Sequence, residues 1–437
     1  MERNYVDIMV YNILDFGAIP DGKSVCTEAI QRAIDECTKT GGRVLVPAGS
    51  FLSGTIRLRS DVELHLEQGS CLISSLDEKD IIDYFKDSSH DNGVDGWEDG
   101  CFLFALHERN IAITGTGVID GQGRKVFYDD DPEHAKEGSP LAVIGFRPRM
   151  SYLEDVENLL VSDVTFLDSA FWTLHLAGCR KVRIENIVIE NNKRGPNTDG
   201  IDPDCCQEVI IRGCRIVSGD DSIVIKSTTP MYKRYGDCRD IIVSDCILSS
   251  NCSGIKIGTE TYGDIHDVTV SSCILKDCIR GVGIWSRDGG EIYNVFLDHI
   301  QGNTRNFCDS MVRTTGVCNW WGEGEPIAIT ATKREGSSKL PGRVHDIQMD
   351  HINITCEAPI MLLGETYAPI DNVSITESSF HFTNQSGKTE MIVDERPSER
   401  GRYPVKATCK MLRNAQNIEM DAKIVVDDSM KSMLNEP

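Results

Sequence analysis

The sequence predicts an all-β chain wound as a parallel β-helix, and three observations point there. A short motif, apolar-x-[Asp/Asn/Gly/Ser]-small-x-apolar, recurs at Val161–Phe166, Ile184–Ile189, Ile211–Ile216, Val243–Leu248 and Val270–Leu275, at intervals of 23, 27, 32 and 27 residues. It returns at Met349–Ile354 and, 26 residues on, at Ile375–Phe380. Each interval holds two or three short segments of period two, separated by Gly, Asn or Asp, with almost no helical periodicity between them. Stacked at about 4.8 Å, such segments turn alternate apolar side chains into one continuous core.

The elements follow in order. After the turn-rich Asp15-Phe16-Gly17-Ala18 and Pro20-Asp21-Gly22, residues 27–39 form the one clear amphipathic helix, with Ile30, Ala33, Ile34 and Cys37 at i, i+3, i+4 and i+7 before Gly41-Gly42. It is expected to cap the solenoid, whose end would otherwise expose a sheet edge. Strands follow at Val44–Val46 and Val62–Leu66. Residues 129–140 and 334–342, charged and rich in Pro and Gly, read as surface loops of the kind that wall a groove. The whole chain, 1–437, is expected to be a single β-helix domain, with a cap over about 1–43, coils over 44–425 and a tail over 426–437.

Composition narrows the function. The chain has 40% apolar residues and no apolar run near the roughly 18–20 residues of a membrane span, so no membrane role is expected. A net charge of −23 argues against a nucleic-acid partner. The opening Met1–Ile8 lacks the apolar run of a secretory signal, which gives the expectation of a cytoplasmic protein. Its 17 cysteines, many within alternating strand segments, read as free buried thiols. Cys205-Cys206 and Cys273 with Cys278 lack zinc-ligand spacing, so neither metal nor cofactor is expected.

Chemistry concentrates in two acidic stretches one coil apart, Asn197-Thr198-Asp199-Gly200-Ile201-Asp202-Pro203-Asp204 and Gly219-Asp220-Asp221-Ser222-Ile223-Val224-Ile225-Lys226. Together with Asp15–Ala18, Ile113–Gly121 and Phe171-Trp172-Thr173-Leu174-His175, they resemble glycoside hydrolase family 28, the polygalacturonases and rhamnogalacturonases, over roughly residues 11–380. That resemblance implies a right-handed parallel β-helix and hydrolysis of an α-linked pectic sugar with inversion. It also implies Asp220 as the acid to the glycosidic oxygen, with Asp199 and Asp221 holding and deprotonating the attacking water. The chain departs from the family pattern twice. Asn251-Cys252-Ser253-Gly254 stands where Gly-His-Gly is usual, and Arg280-Gly281-Val282-Gly283-Ile284-Trp285 stands where Arg-Ile-Lys is usual.

Aligning the strands by inward apolar pairs puts Leu174, Ile201, Ile223, Ile255 and Val282 in one interior stack. The outward columns then read His175, Asp202, Val224, Lys256, Gly283 and Ala177, Asp204, Lys226, Gly258, Trp285. Asp199, Asp220 and Asp221 lie at the strand entrances of adjacent rungs, where mutual repulsion raises one pKa and keeps a proton in place. Asn197, Asp202, His175, Lys226, Lys256, Trp285 and Arg280 are the candidate substrate-binding residues for an oligosaccharide partner. With glycine and tryptophan in place of the usual cations, the expected substrate is a short rhamnogalacturonan-type oligosaccharide cut from a chain end, with Trp285 as the platform for a sugar face. Trp320-Trp321 offers a second platform or a loop-packing pair. Three other readings stay open: a β-helix polysaccharide lyase, a non-catalytic carbohydrate-binding β-helix, and an acidic cluster that binds calcium or is simply solvated.

Overall fold

The computed structural model describes residues 8–82, 100–130, 132–133, 139–306, 311–313, 316–318 and 320–434. It is a right-handed parallel β-helix. One sheet stacks eleven short strands, from Ile56–Arg57 at one end to Lys410–Arg413 at the other. A 22-stranded sheet wraps the remaining sides. The interior stack runs in register from Leu174 through Ile201, Ile223, Ile255 and Val282 to Ile327, all fully buried. Burying each such side chain stabilises the fold by about 1.5–3 kcal/mol.

The recurrent motif is a corner. Its third residue, Asp163, Asn186, Gly213, Asp245 or Ser272, has a φ between 54° and 66°, and the same turn recurs at His299, His351 and Glu377. This left-handed conformation is tolerated best by Gly, Asn and Asp, which explains why those residues punctuate the repeat. Flanking apolar residues, such as Ile184 and Ile189, point inward on either side of it.

The N-terminal helix spans Thr27–Cys37 and buries Ile30, Ala33, Ile34 and Cys37 completely against the first coils. It ends ahead of Gly42, where a Cβ would come within 2.5 Å of the Met9 carbonyl oxygen. Among the described residues, two further helices, Thr229–Tyr235 and Asp428–Leu434, correct the expectation of a single helix. Each has only seven residues, too few to show apolar periodicity. The second occupies the expected tail and inserts Met430 into the core. The expected loop over 129–140 lies partly outside the described residues.

Candidate active site

The outer face of the eleven-stranded sheet carries a cleft of about 610 Å³. Its floor is Asp199, Asp220, Asp221, Lys226 and Lys256, contributed by three successive rungs. Pro140, Leu141, Trp172, Pro196 and Asn197 line one part, and Trp320, Trp321, Glu260, Thr259 and Arg334 another.

Local chain chemistry fixes the two acidic turns. Thr198 Oγ1 donates to the Gly195 carbonyl at 2.9 Å and accepts from the Gly219 amide at 3.0 Å, tying one rung to the next. Only glycine fits at 219, since a Cβ there would fall 2.0 Å from the Gly195 carbonyl oxygen. Ser218 and Ser250 both donate their hydroxyls to the Asp220 carbonyl at 2.6 Å. Asn197, at φ 55°, accepts through Oδ1 from Arg147 Nη2 at 2.9 Å. The side chains of Asp220, Asp221 and Cys252 bring their oxygen and sulfur atoms within 4.8 Å of one another.

The acids occupy different electrostatic environments. Burial, and then the Asp220 and Asp202 charges, push Asp199 well above the usual carboxylate range. Its Oδ1 is buried and takes no hydrogen bond from any described residue. Burial and the Asp221 charge also raise Asp220, which remains partly exposed. Burial works in the same direction on Asp221, but Lys256 outweighs it and holds that carboxyl low. Lys256 Nζ donates to Asp221 Oδ2 at 2.7 Å, and the Ser253 amide donates to Oδ1 at 3.0 Å. Behind them, Lys226 Nζ pairs with Asp202 Oδ1 at 2.8 Å and lies 3.7 Å over the Trp172 ring. Burial still pushes Asp202 up to about 6 against that pairing.

Residues 37–301 match the profile of Glycosyl hydrolases family 28. The chain belongs to glycoside hydrolase family 28. Among its relatives, a "Probable polygalacturonase" of Vitis vinifera is 31% identical over 228 residues, covering 51% of this chain and 45% of the relative. An "Exo-poly-alpha-D-galacturonosidase" of Dickeya chrysanthemi is 30% identical over 253 residues, covering 49% and 41%. The chain spans about half the length of these curated relatives. In fold, it is similar to an exopolygalacturonase of Thermotoga maritima, with a TM-score of 0.67 at 24% identity covering 94% of this chain and 92% of that one. The polygalacturonase of Erwinia carotovora gives a TM-score of 0.65 at 22% identity, covering 86% and 94%.

Within this family 28 cleft, four expected residues lie elsewhere. Trp285 was expected to face outward as a platform, yet it is 1% exposed. Its ring folds over the empty side of Gly283, and Nε1 donates to the Ala328 carbonyl at 3.1 Å. Lys256 Nζ and the Arg280 guanidinium approach the ring at 4.9 and 4.3 Å, so it supports the floor from beneath. Arg280 is fully buried and pairs with Glu325 at 3.3 Å. His175 is packed edge-on against Trp172 and Tyr152, with Nε2 3.5 Å from Asp204, and burial pushes it down to about 4. Asp202 is fully buried beneath Lys226, which pairs with it at 2.8 Å.

Sequence reasoning did not single out Trp172 or Glu260 for the cleft. The strand slips register between Ile257 and Thr261 and brings both Thr259 and Glu260 to the cleft, so alternation from Lys256 does not by itself place Glu260. Arg334 opens the loop 334–342 that was expected to wall a groove, and it lines this cleft.

Proposed function

We propose that this chain is an inverting glycoside hydrolase acting on short pectic oligosaccharides. The observation that carries the reading is the gathering of Asp199, Asp220 and Asp221 from two adjacent rungs on one cleft floor. Asp220, raised and reachable, holds the proton given to the leaving oxygen. Asp221, kept ionised by Lys256, takes the proton of the attacking water, and Asp199, with an open Oδ1, orients that water. Action near a chain end is supported by the name of one relative, an exo-poly-alpha-D-galacturonosidase. The names of the relatives support a pectic substrate class.

The sugar preference proposed is for a rhamnogalacturonan-type fragment rather than plain polygalacturonate. Its support is that Lys226, Lys256 and Arg334 are each already paired with a carboxylate of the protein. The compartment proposed is a reducing one such as the cytoplasm, since the cysteines whose side chains are described are free thiols.

A panel of defined pectic oligosaccharides tests both parts, with proton NMR following the anomeric signal of the first product. The expected result is release of a β-configured sugar from an α-linked substrate, fastest from a rhamnose-containing fragment. A product with retained configuration, or an unsaturated uronide absorbing in the ultraviolet, overturns the mechanism. Faster turnover of homogalacturonan oligomers overturns the preference.

A further inference from the structure

Glu260 is the acid of the cleft that lies off the two Asp-bearing turns, on the next rung within the strand Ser253–Thr261. The three cations around it are committed elsewhere. Lys226 is 2.8 Å from Asp202, Lys256 is 2.7 Å from Asp221, and Arg334 grips Asp288 with two bonds of 2.7 Å each. Arg334 approaches Glu260 only at 3.6 Å, longer than a hydrogen bond. No hydrogen bond reaches Glu260 from another described side chain. Burial pushes its carboxyl up, but Lys226, Arg334 and Lys256 outweigh that and keep it below the usual range.

An ionised carboxylate is acceptor-only, with two oxygens spaced to take two neighbouring hydroxyls. The same charge repels a second carboxylate brought to the same place, and that repulsion discriminates between ligands as effectively as attraction. We propose that Glu260 is a specificity-determining residue that accepts hydrogen bonds from a vicinal pair of hydroxyls on a neutral sugar ring and turns away a ring carrying a uronate carboxylate there. This deepens the proposed function and rests on that cleft being where sugar binds.

The test is calorimetric titration in the Asp220→Asn background, with and without Glu260→Gln, using two ligands: digalacturonate and a rhamnosyl-galacturonate disaccharide. Glu260→Gln is expected to weaken the rhamnosyl ligand at least about tenfold while tightening digalacturonate, whose uronate it no longer repels. Glu260→Asp, which keeps the charge on a shorter arm, is expected to weaken the rhamnosyl ligand while still excluding digalacturonate. Equal loss for both ligands, changes under about twofold, weaker digalacturonate binding, or no binding of either ligand overturns the proposal. If the unmutated enzyme turns over neither sugar, the hydrolase reading fails, while the binding comparison still decides the role of Glu260.

Discussion

Lys256 Nζ and Asp221 Oδ2 meet at 2.7 Å across adjacent rungs, in a pair whose side chains are both less than a tenth exposed. The pair is bracketed by the Ser253 amide on the acid and the Trp285 ring beside the ammonium. It therefore sets the ionisation of one carboxylate in the cleft and the position of its strand.

Removing the ammonium isolates a buried anion. Lys256→Met is expected to cost about 3–5 kcal/mol of stability at neutral pH, read by urea denaturation. Asp221 has a lowered pKa, so its contribution is present above the unfolded carboxylate value and is lost as pH falls through the folded one. The difference between the variant and the parent should accordingly narrow on acidification below about pH 4. A difference that widens there would contradict the assignment.

Asp220→Asn removes a proton donor and almost no volume. Turnover should fall by about 10² to 10⁴, with a melting temperature no lower than the parent's and measurable ligand binding. A variant retaining most of its rate on a substrate with a poor leaving group would move the acid elsewhere.

The two tryptophans should separate cleanly. Trp285 is a buried support, and Trp285→Ala is expected to cost about 3–5 kcal/mol in stability. Trp321 lines the cleft and is only partly buried. Trp321→Ala should raise KM with little change in unfolding midpoint. Equal stability losses in both would deny that distinction.

Asp202 supplies a pH dependence of opposite sign to Asp221. Because its folded pKa is raised to about 6, the folded protein holds a proton that the unfolded chain has lost. Stability from this group is full below about pH 4 and falls as pH rises through about 6, by up to about 3 kcal/mol. Asp202→Asn should flatten that part of the profile measured by denaturant titration between pH 4 and 7. An unchanged slope would mean that the proton is held elsewhere.

The interior was legible because burial writes period two into a strand. Leu174, Ile201, Ile223, Ile255 and Val282 could be aligned on hydrophobicity alone, and the pairing register agrees. The acidic turns were legible from order and spacing. The fate of Trp285 was not, because alternation gives the face from which a side chain leaves but not where a long ring then folds. That depends on the room left by Gly283 and on the Ala328 carbonyl one rung away. Lys256 and Lys226 posed the same difficulty: their long stems let each choose among several acids, and the choice depends on distances that no one-dimensional pattern records.

The left-handed corner separates what this scaffold can vary from what it cannot. Across it, inward residues keep a fixed interval of five positions, as in Ile184 to Ile189, Ile211 to Ile216 and Val270 to Leu275. On the cleft side the connections are unconstrained, from the single residue between Cys278 and Arg280 to the long excursion between Thr304 and Ile327. An insertion at the corner would disturb the stacking of its own rung on both neighbours, whereas one at the cleft rim would change only what the groove meets. New substrate ranges can therefore arise by lengthening or trading loops along one edge, with the stacked carboxylates carried along unaltered.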